Sequence, residues 1–157
     1  MKDQLITPFL WFTKNNAQEA MDFYCSVFPN SRIVEVQKYP DQSDDPHLNG
    51  MAGKVLTGVF ELNGQQFMCL DGGEQGFDFN NAISMLVSCA DQAEIDKYWE
   101  QLSARPEAEQ CGWCVDKYGL SWQIVPKNMG ELMRGPAQVA AMMKMKKIVI
   151  ADLENAA

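Results

Sequence analysis

His47 is the only imidazole in this 157-residue chain. A Ser–His–Asp set would have to be built around it. So would a Cys–His pair with Cys69 or Cys111, and nothing in the spacing brings these residues together. Asp71 could act as a general base if burial raises its pKa. Cys111 and Cys114 have the spacing of a redox dithiol or half a zinc site. A redox dithiol normally sits at a helix N-terminus, where the thiolate is stabilised. Here the segment reads as a strand. Three strand residues cover about 10 Å, beyond the roughly 7 Å between Cα atoms that a disulfide tolerates. The odd spacing also sends the two side chains to opposite faces. They read as structural thiols. Gly72-Gly73-x-x-Gly76 is the one candidate for the Gly-rich turn that an adenosyl cofactor needs. It follows a strand but precedes no helical pattern, so it reads as a plain loop. Asp116 and Gly119 read as hairpin-turn residues.

Composition narrows the classes further. Apolar residues make up 46% and charged residues 22%, as in a globular protein with a real core. A net charge of -8 repels phosphate backbones, so nucleic acid is not an expected partner. No run of 18 apolar residues exists, so no membrane span is expected. Three cations in Lys144-Met-Lys-Lys147 are too few for a membrane surface. The N-terminal residues do not read as a signal peptide. Five cysteines, an odd count, suit free thiols in a reducing, cytoplasmic setting.

The elements that must position any site follow from periodicity. Residues 6–13 read as a buried strand, with Pro8 near its start. Asn16 and Glu19 have the spacing of a capping box before a helix to about Phe28, striped by Ala17, Ala20, Met21, Tyr24 and Phe28. A strand at 32–39 precedes a long loop over 40–53 that contains His47. Strands at 54–62 and 65–71 join across Asn63-Gly64. A further strand at 83–89 leads to Asp91, the cap of a helix ending near Ser103. Strands at 111–117 and 121–126 turn through Tyr118-Gly119. A short helix near 128–134 and an amphipathic helix to about Lys147 close the pattern. Val139, Met142 and Met143 on that helix suit either an adaptable interface or packing on its own domain.

The chain repeats itself at an offset of 75. Phe9–Thr13 lies over Ser84–Ser88, Asn16 over Asp91, Glu19 over Glu94, and Phe23-Tyr24 over Tyr98-Trp99. Each copy reads strand, helix, strands, and each exposes a sheet face that the other copy could cover. The second copy is the shorter, because 104–110 makes a weak strand.

Two such βαβββ copies resemble the vicinal oxygen chelate superfamily of glyoxalases, bleomycin-resistance proteins and extradiol dioxygenases. The opening Asn16-Ala-Gln-Glu-Ala-Met-Asp-Phe-Tyr24 is similar to that superfamily's first helix. Cys111-Gly-Trp-Cys-Val-Asp-Lys-Tyr-Gly-Leu-Ser-Trp-Gln-Ile-Val-Pro126 looks like the signature of its PhnB-like branch, which carries the label 3-demethylubiquinone-9 3-methyltransferase. The tail from Met143 to Glu154 resembles the same branch. The resemblance departs at 104–110, where the branch has a Gly-rich stretch.

The resemblance implies an α+β fold: two tandem βαβββ modules (about 4–73 and 80–127) forming a mixed, strongly curved sheet cup, plus C-terminal helices over 128–157, all in one glyoxalase-like domain. It also implies where a divalent metal would bind: on the first and last strands of each module. Those positions fall at Phe9, Ser84, Asp71 (or its neighbours) and Gln123. Phenylalanine offers no lone pair and serine is a poor ligand, so too few donors remain for the three or four expected. What remains is a wall of Phe9, Trp11, Asp71, Ser84, Leu86 and Gln123, apolar with a few polar groups, as small-molecule sites usually are. Phe9, Trp11, Trp113 and Trp122 read equally well as core packing. The expectation is a homodimer that binds a small organic molecule, with no cofactor and no tightly held metal. The alternative is a metal-dependent isomerase, lyase or dioxygenase-type enzyme that recruits His47 or a residue of a second chain.

Overall fold

A computed structural model describes residues 4–42 and 45–157. The chain divides into two compact units, residues 1–78 and 79–157.

The first unit runs β1 (Phe9–Phe12), α1 (Ala17–Val27), β2 (Arg32–Lys38), β3 (Val55–Leu62) and β4 (Gln65–Asp71), with one 3-10 turn at Pro46–Leu48. The sheet order is β1-β4-β3-β2, parallel between β1 and β4 and antiparallel elsewhere. The β3–β4 turn uses Asn63 and Gly64 at φ +47° and +79°. Two left-handed residues in a row make the turn whose twist suits a two-residue hairpin. Leu10, Phe12, Phe60 and Cys69 are buried on one face, together with the α1 stripe Ala17, Ala20, Met21 and Tyr24. Gly58 lets the helix settle there, since a Cβ would lie 2.7 Å from Met21 Sδ.

Asn16 departs from expectation. Its side chain makes no cap hydrogen bond. The Ala17 N–H donates instead to Asp71 Oδ1, at 2.8 Å. The first strand is also shorter than its apolar run, because pairing with β4 holds only over Phe9–Phe12.

The second unit runs β5 (Met85–Cys89), α2 (Gln92–Leu102), β6 (Trp113–Val115) and β7 (Ser121–Pro126), then α3 (Met129–Leu132), α4 (Pro136–Met142) and α5 (Ile150–Glu154). The sheet order is β5-β7-β6. Asp91 does cap its helix: Oδ1 accepts the Glu94 N–H at 3.0 Å, and the Glu94 carboxylate accepts the Ala90 N–H at 2.7 Å. So the helices of the two copies begin alike in sequence but are capped by different groups.

Residues 104–110 form no strand. They hold a 3-10 turn at Pro106–Ala108 and a single bridge from Gln110 to Trp113. Cys111 and Gly112 are not in a strand either. Their φ values of +52° and +85° place them at the tip of a tight turn. Gln110 and Trp113 exchange both backbone hydrogen bonds across it.

The Met-rich helix ends at Met142, not near Lys147. Beyond it the chain folds back on its own unit. The Met145 and Lys146 carbonyls accept the Cys111 and Gly112 N–H groups at 2.8 and 2.7 Å. The Gln92 amide holds both the Ile148 carbonyl and the Ile150 N–H. Ile148 and Leu153 are buried, and the last residues form the helix α5 that periodicity missed. Among the described residues no helix is long and apolar enough to cross a membrane.

Candidate functional site

Each sheet packs one face under its helix and leaves the other open. Strand parity and register decide which residues share the open face. In the first unit Phe9 pairs with Met68, Met68 with Val59 and Val59 with Glu35, giving one row across all four strands. Trp11 pairs with Leu70 in the next row. Phe9 is 48% exposed and Trp11 is half-buried. The expected pairing of Phe9 and Trp11 on one face is therefore what the fold contains.

Asp71 is not on that face. It pairs with Phe12 on the helix side and is 2% exposed. Its Oδ1 accepts the Ala17 N–H and its Oδ2 accepts the Val55 N–H, each at 2.8 Å. The carboxylate is a structural staple between a helix start and a strand start. Its neighbour Leu70 is the residue of that strand end that shares the open face with Trp11. Placing Asp71 in the wall took the right strand and missed its parity by one residue.

In the second unit Leu86, Gln123 and Trp113 stand in one row across β5, β7 and β6. Leu86 is 57% exposed. Gln123 Nε2 donates to Ser84 Oγ at 2.8 Å, so the polar pair is pre-positioned within an apolar row. Trp122 points the other way, 3% exposed, and its Nε1 donates to Asp116 Oδ2 at 2.8 Å. Asp116 is fully buried, and its Oδ1 also accepts the Tyr118 and Leu120 N–H groups. The residue expected in the turn is there, and it ties the turn to the core.

The three buried thiols, Cys69, Cys89 and Cys114, carry little nucleophilic character. Burial pushes Cys69 and Cys114 up to about 12, helped by Asp71 and Asp116 respectively. Burial pushes Cys89 up to about 11, with Glu94 and Asp91 adding to it. Cys114 is thus no partner for a dithiol, although the strand geometry first argued against it does not hold at Cys111.

The donors on these faces do not fit a divalent metal. Ser84 and Gln123 are bonded to each other, Asp71 faces away, and Phe9 and Leu86 have no lone pairs. Among the described residues no three His, Cys, Asp or Glu side chains converge. The His47 side chain, the remaining expected ligand, lies outside what is described.

The model of the 3-demethylubiquinone-9 3-methyltransferase family matches residues 4–125. The chain belongs to this family. A PhnB protein from Bacillus cereus that carries the same methyltransferase name is 37% identical. It aligns over 78% of this chain and 99% of its own, with a TM-score of 0.65. A Pseudomonas aeruginosa protein is 17% identical over 78% and 98%, with a TM-score of 0.59. The fosfomycin resistance protein FosX from Listeria monocytogenes is 15% identical over 86% and 100%, with a TM-score of 0.52. No curated protein matches. This PhnB-like chain thus has the mixed α+β fold of the vicinal oxygen chelate superfamily, with sheets of four and three strands.

Proposed function

We propose that this PhnB-like protein binds a small organic molecule against an open sheet face, without a tightly held metal, and does not transfer a methyl group from an adenosyl donor. The observation that carries the reading is the make-up of the open faces. Phe9, Trp11 and Leu70 line one, Leu86 and Trp113 the other, and the Ser84–Gln123 pair supplies hydroxyl and amide groups. An apolar surface with a few fixed polar groups suits a small ligand. Three converging ligands, which a catalytic metal needs, are not among these residues. Against methyl transfer stands the Gly72–Gly76 stretch, which leads through loop into β5 with no helix between. An adenosyl cofactor would have no helix N-terminus to meet there. The protein works as a homodimer in the cytoplasm on this reading.

Metal analysis of dialysed protein tests it. Well under one zinc, iron or manganese per chain is expected. About one per chain would overturn the reading in favour of a metal-dependent isomerase, lyase or dioxygenase. Phe9→His separates the two independently: it should add metal affinity to a face short of donors and weaken a site already loaded. Titration with S-adenosylmethionine should give no heat. Sedimentation should give twice the chain mass.

A further inference from the structure

Among the described residues, Trp11 carries a donor with nothing to donate to: its Nε1 is buried and makes no hydrogen bond. Buried polar groups are nearly always paired, so such an atom asks for an explanation. The indole edge lies directly over Gly72, where a Cβ would come within 2.1 Å of Cε2 and 2.3 Å of Nε1. Phe77 meets the ring edge-on, at 5.8 Å between centroids and 67°. Phe77 itself is 54% exposed. The segment from Gly72 to Asp78 therefore covers the indole, and it does so with a large apolar residue that gains little shelter there.

Side chains do most of the work of holding that segment down. The last backbone bond is from the Gly72 N–H to the Phe12 carbonyl, at 3.3 Å. Beyond it, Asn15 Oδ1 accepts the Gly73 N–H at 2.9 Å, Lys14 pairs with Glu74 at 2.9 Å, and Thr13 Oγ1 donates to Asp78 Oδ1 at 2.5 Å. The Lys14–Glu74 pair is solvent-exposed and contributes little. Gly73 and Gly76 have φ of +63° and +74°, conformations that glycine enters and leaves easily. The segment and residues 13–14 frame a hollow of about 250 Å³, below the roughly 300 Å³ at which ligand pockets usually begin.

We propose that residues 72–78 form a lid over Trp11. When it lifts, the indole N–H becomes the fixed donor for a flat ligand bearing a carbonyl oxygen, with Phe77 closing on the ligand's face. This deepens the proposed small-molecule function and rests on it.

The test follows the indole N–H of Trp11 by proton–nitrogen NMR on the whole chain. There are four tryptophans, and Trp11→Phe identifies the resonance. Hydrogen exchange at this N–H should be about tenfold faster in Asp78→Ala, which removes the acceptor of the Thr13 hydroxyl. Glu74→Gln, a surface change, should speed it less. Acetophenone should shift the Trp11 resonance downfield, at lower concentration in Asp78→Ala than in wild type. Ethylbenzene, of similar shape but without the oxygen, should not. Unchanged exchange in both variants overturns the lid. A Trp11 resonance equally moved by both compounds overturns the donor role. If acetophenone moves the Met68 and Leu70 methyls but not the Trp11 N–H, the inference fails while small-molecule binding stands. If no resonance moves, the inference fails and the binding reading loses its support with it.

Discussion

Asp71 Oδ1 accepts the backbone N–H of Ala17 at 2.8 Å, so the last residue of a strand caps a helix 54 positions earlier in the chain. The other oxygen accepts the Val55 N–H. Removing this carboxylate strands two buried donors. At about 1–3 kcal/mol for each, Asp71→Ala should cost about 2–6 kcal/mol in denaturant unfolding. Asn16→Ala should stay within about 0.5 kcal/mol, as at an ordinary surface position. Equal losses in the two variants would mean that the cap is local after all.

The contact between Gly72 and Trp11 makes a second prediction. Gly72 does not have a left-handed backbone, so alanine there meets a steric problem only. The new methyl would overlap the indole, and overpacking of this kind costs about 1–3 kcal/mol. In a Trp11→Phe background the ring is smaller and the same substitution should cost clearly less. A double-mutant cycle measures the difference. An additive cycle would show that the ring and the glycine are not in contact.

These two residues show what the sequence could and could not convey. Strand parity along β1 placed Phe9 and Trp11 together because alternation is a local property, written in consecutive residues. Asn63-Gly64 and Asp116 were legible for the same reason, since turn chemistry lies within four positions. The Asn16 cap was misread because its competitor, Asp71, arrives from a distant strand, and no local pattern announces a carboxylate from elsewhere. The same one-residue parity question decided whether Asp71 or Leu70 belongs to the open face. Cys111 reads locally as the start of a strand, but its N–H is claimed by the Met145 carbonyl, a contact made by the returning tail. The orphaned Trp11 donor had no sequence signal at all, because it depends on what fails to surround it.

Burial of the thiols sets a pH dependence. Cys69, Cys89 and Cys114 are held protonated in the fold, up to about 12, 11 and 12, while an unfolded thiol ionises at roughly 8.5. Between these values the unfolded chain binds fewer protons than the folded one, so stability falls as pH rises. The contribution is complete below the unfolded pKa and is lost on the way up to 11–12. Unfolding midpoints measured from pH 7 to 10.5 should drop at the alkaline end. They should drop less when the three cysteines are replaced by alanine and compared with that variant's own value at pH 7. A thiol reagent at pH 8 should label Cys25 and Cys111, which are half-buried, and reach the other three only on unfolding. Rapid native labelling of Cys69 or Cys114 would contradict their burial.

Asp116 plays in the second unit a part similar to that of Asp71 in the first: a buried carboxylate at a strand end gathers N–H groups that the sheet leaves over. Here one donor is a side chain, Trp122 Nε1 at 2.8 Å, beside the Tyr118 and Leu120 amides at 2.8 and 3.0 Å. Asp116→Ala leaves all three without this acceptor in a buried place and should cost about 3–5 kcal/mol. Trp122→Phe keeps most of the ring's packing and removes only the N–H, so its cost should be smaller. If the indole bond is worth what buried charge-assisted bonds usually are, the two changes should couple by about 1–2 kcal/mol in a double-mutant cycle. Asp116→Asn should fall between: its oxygen can still accept, but its amide must face a donor. A coupling near zero would mean that the carboxylate serves the turn amides alone, and that Trp122 is held by packing.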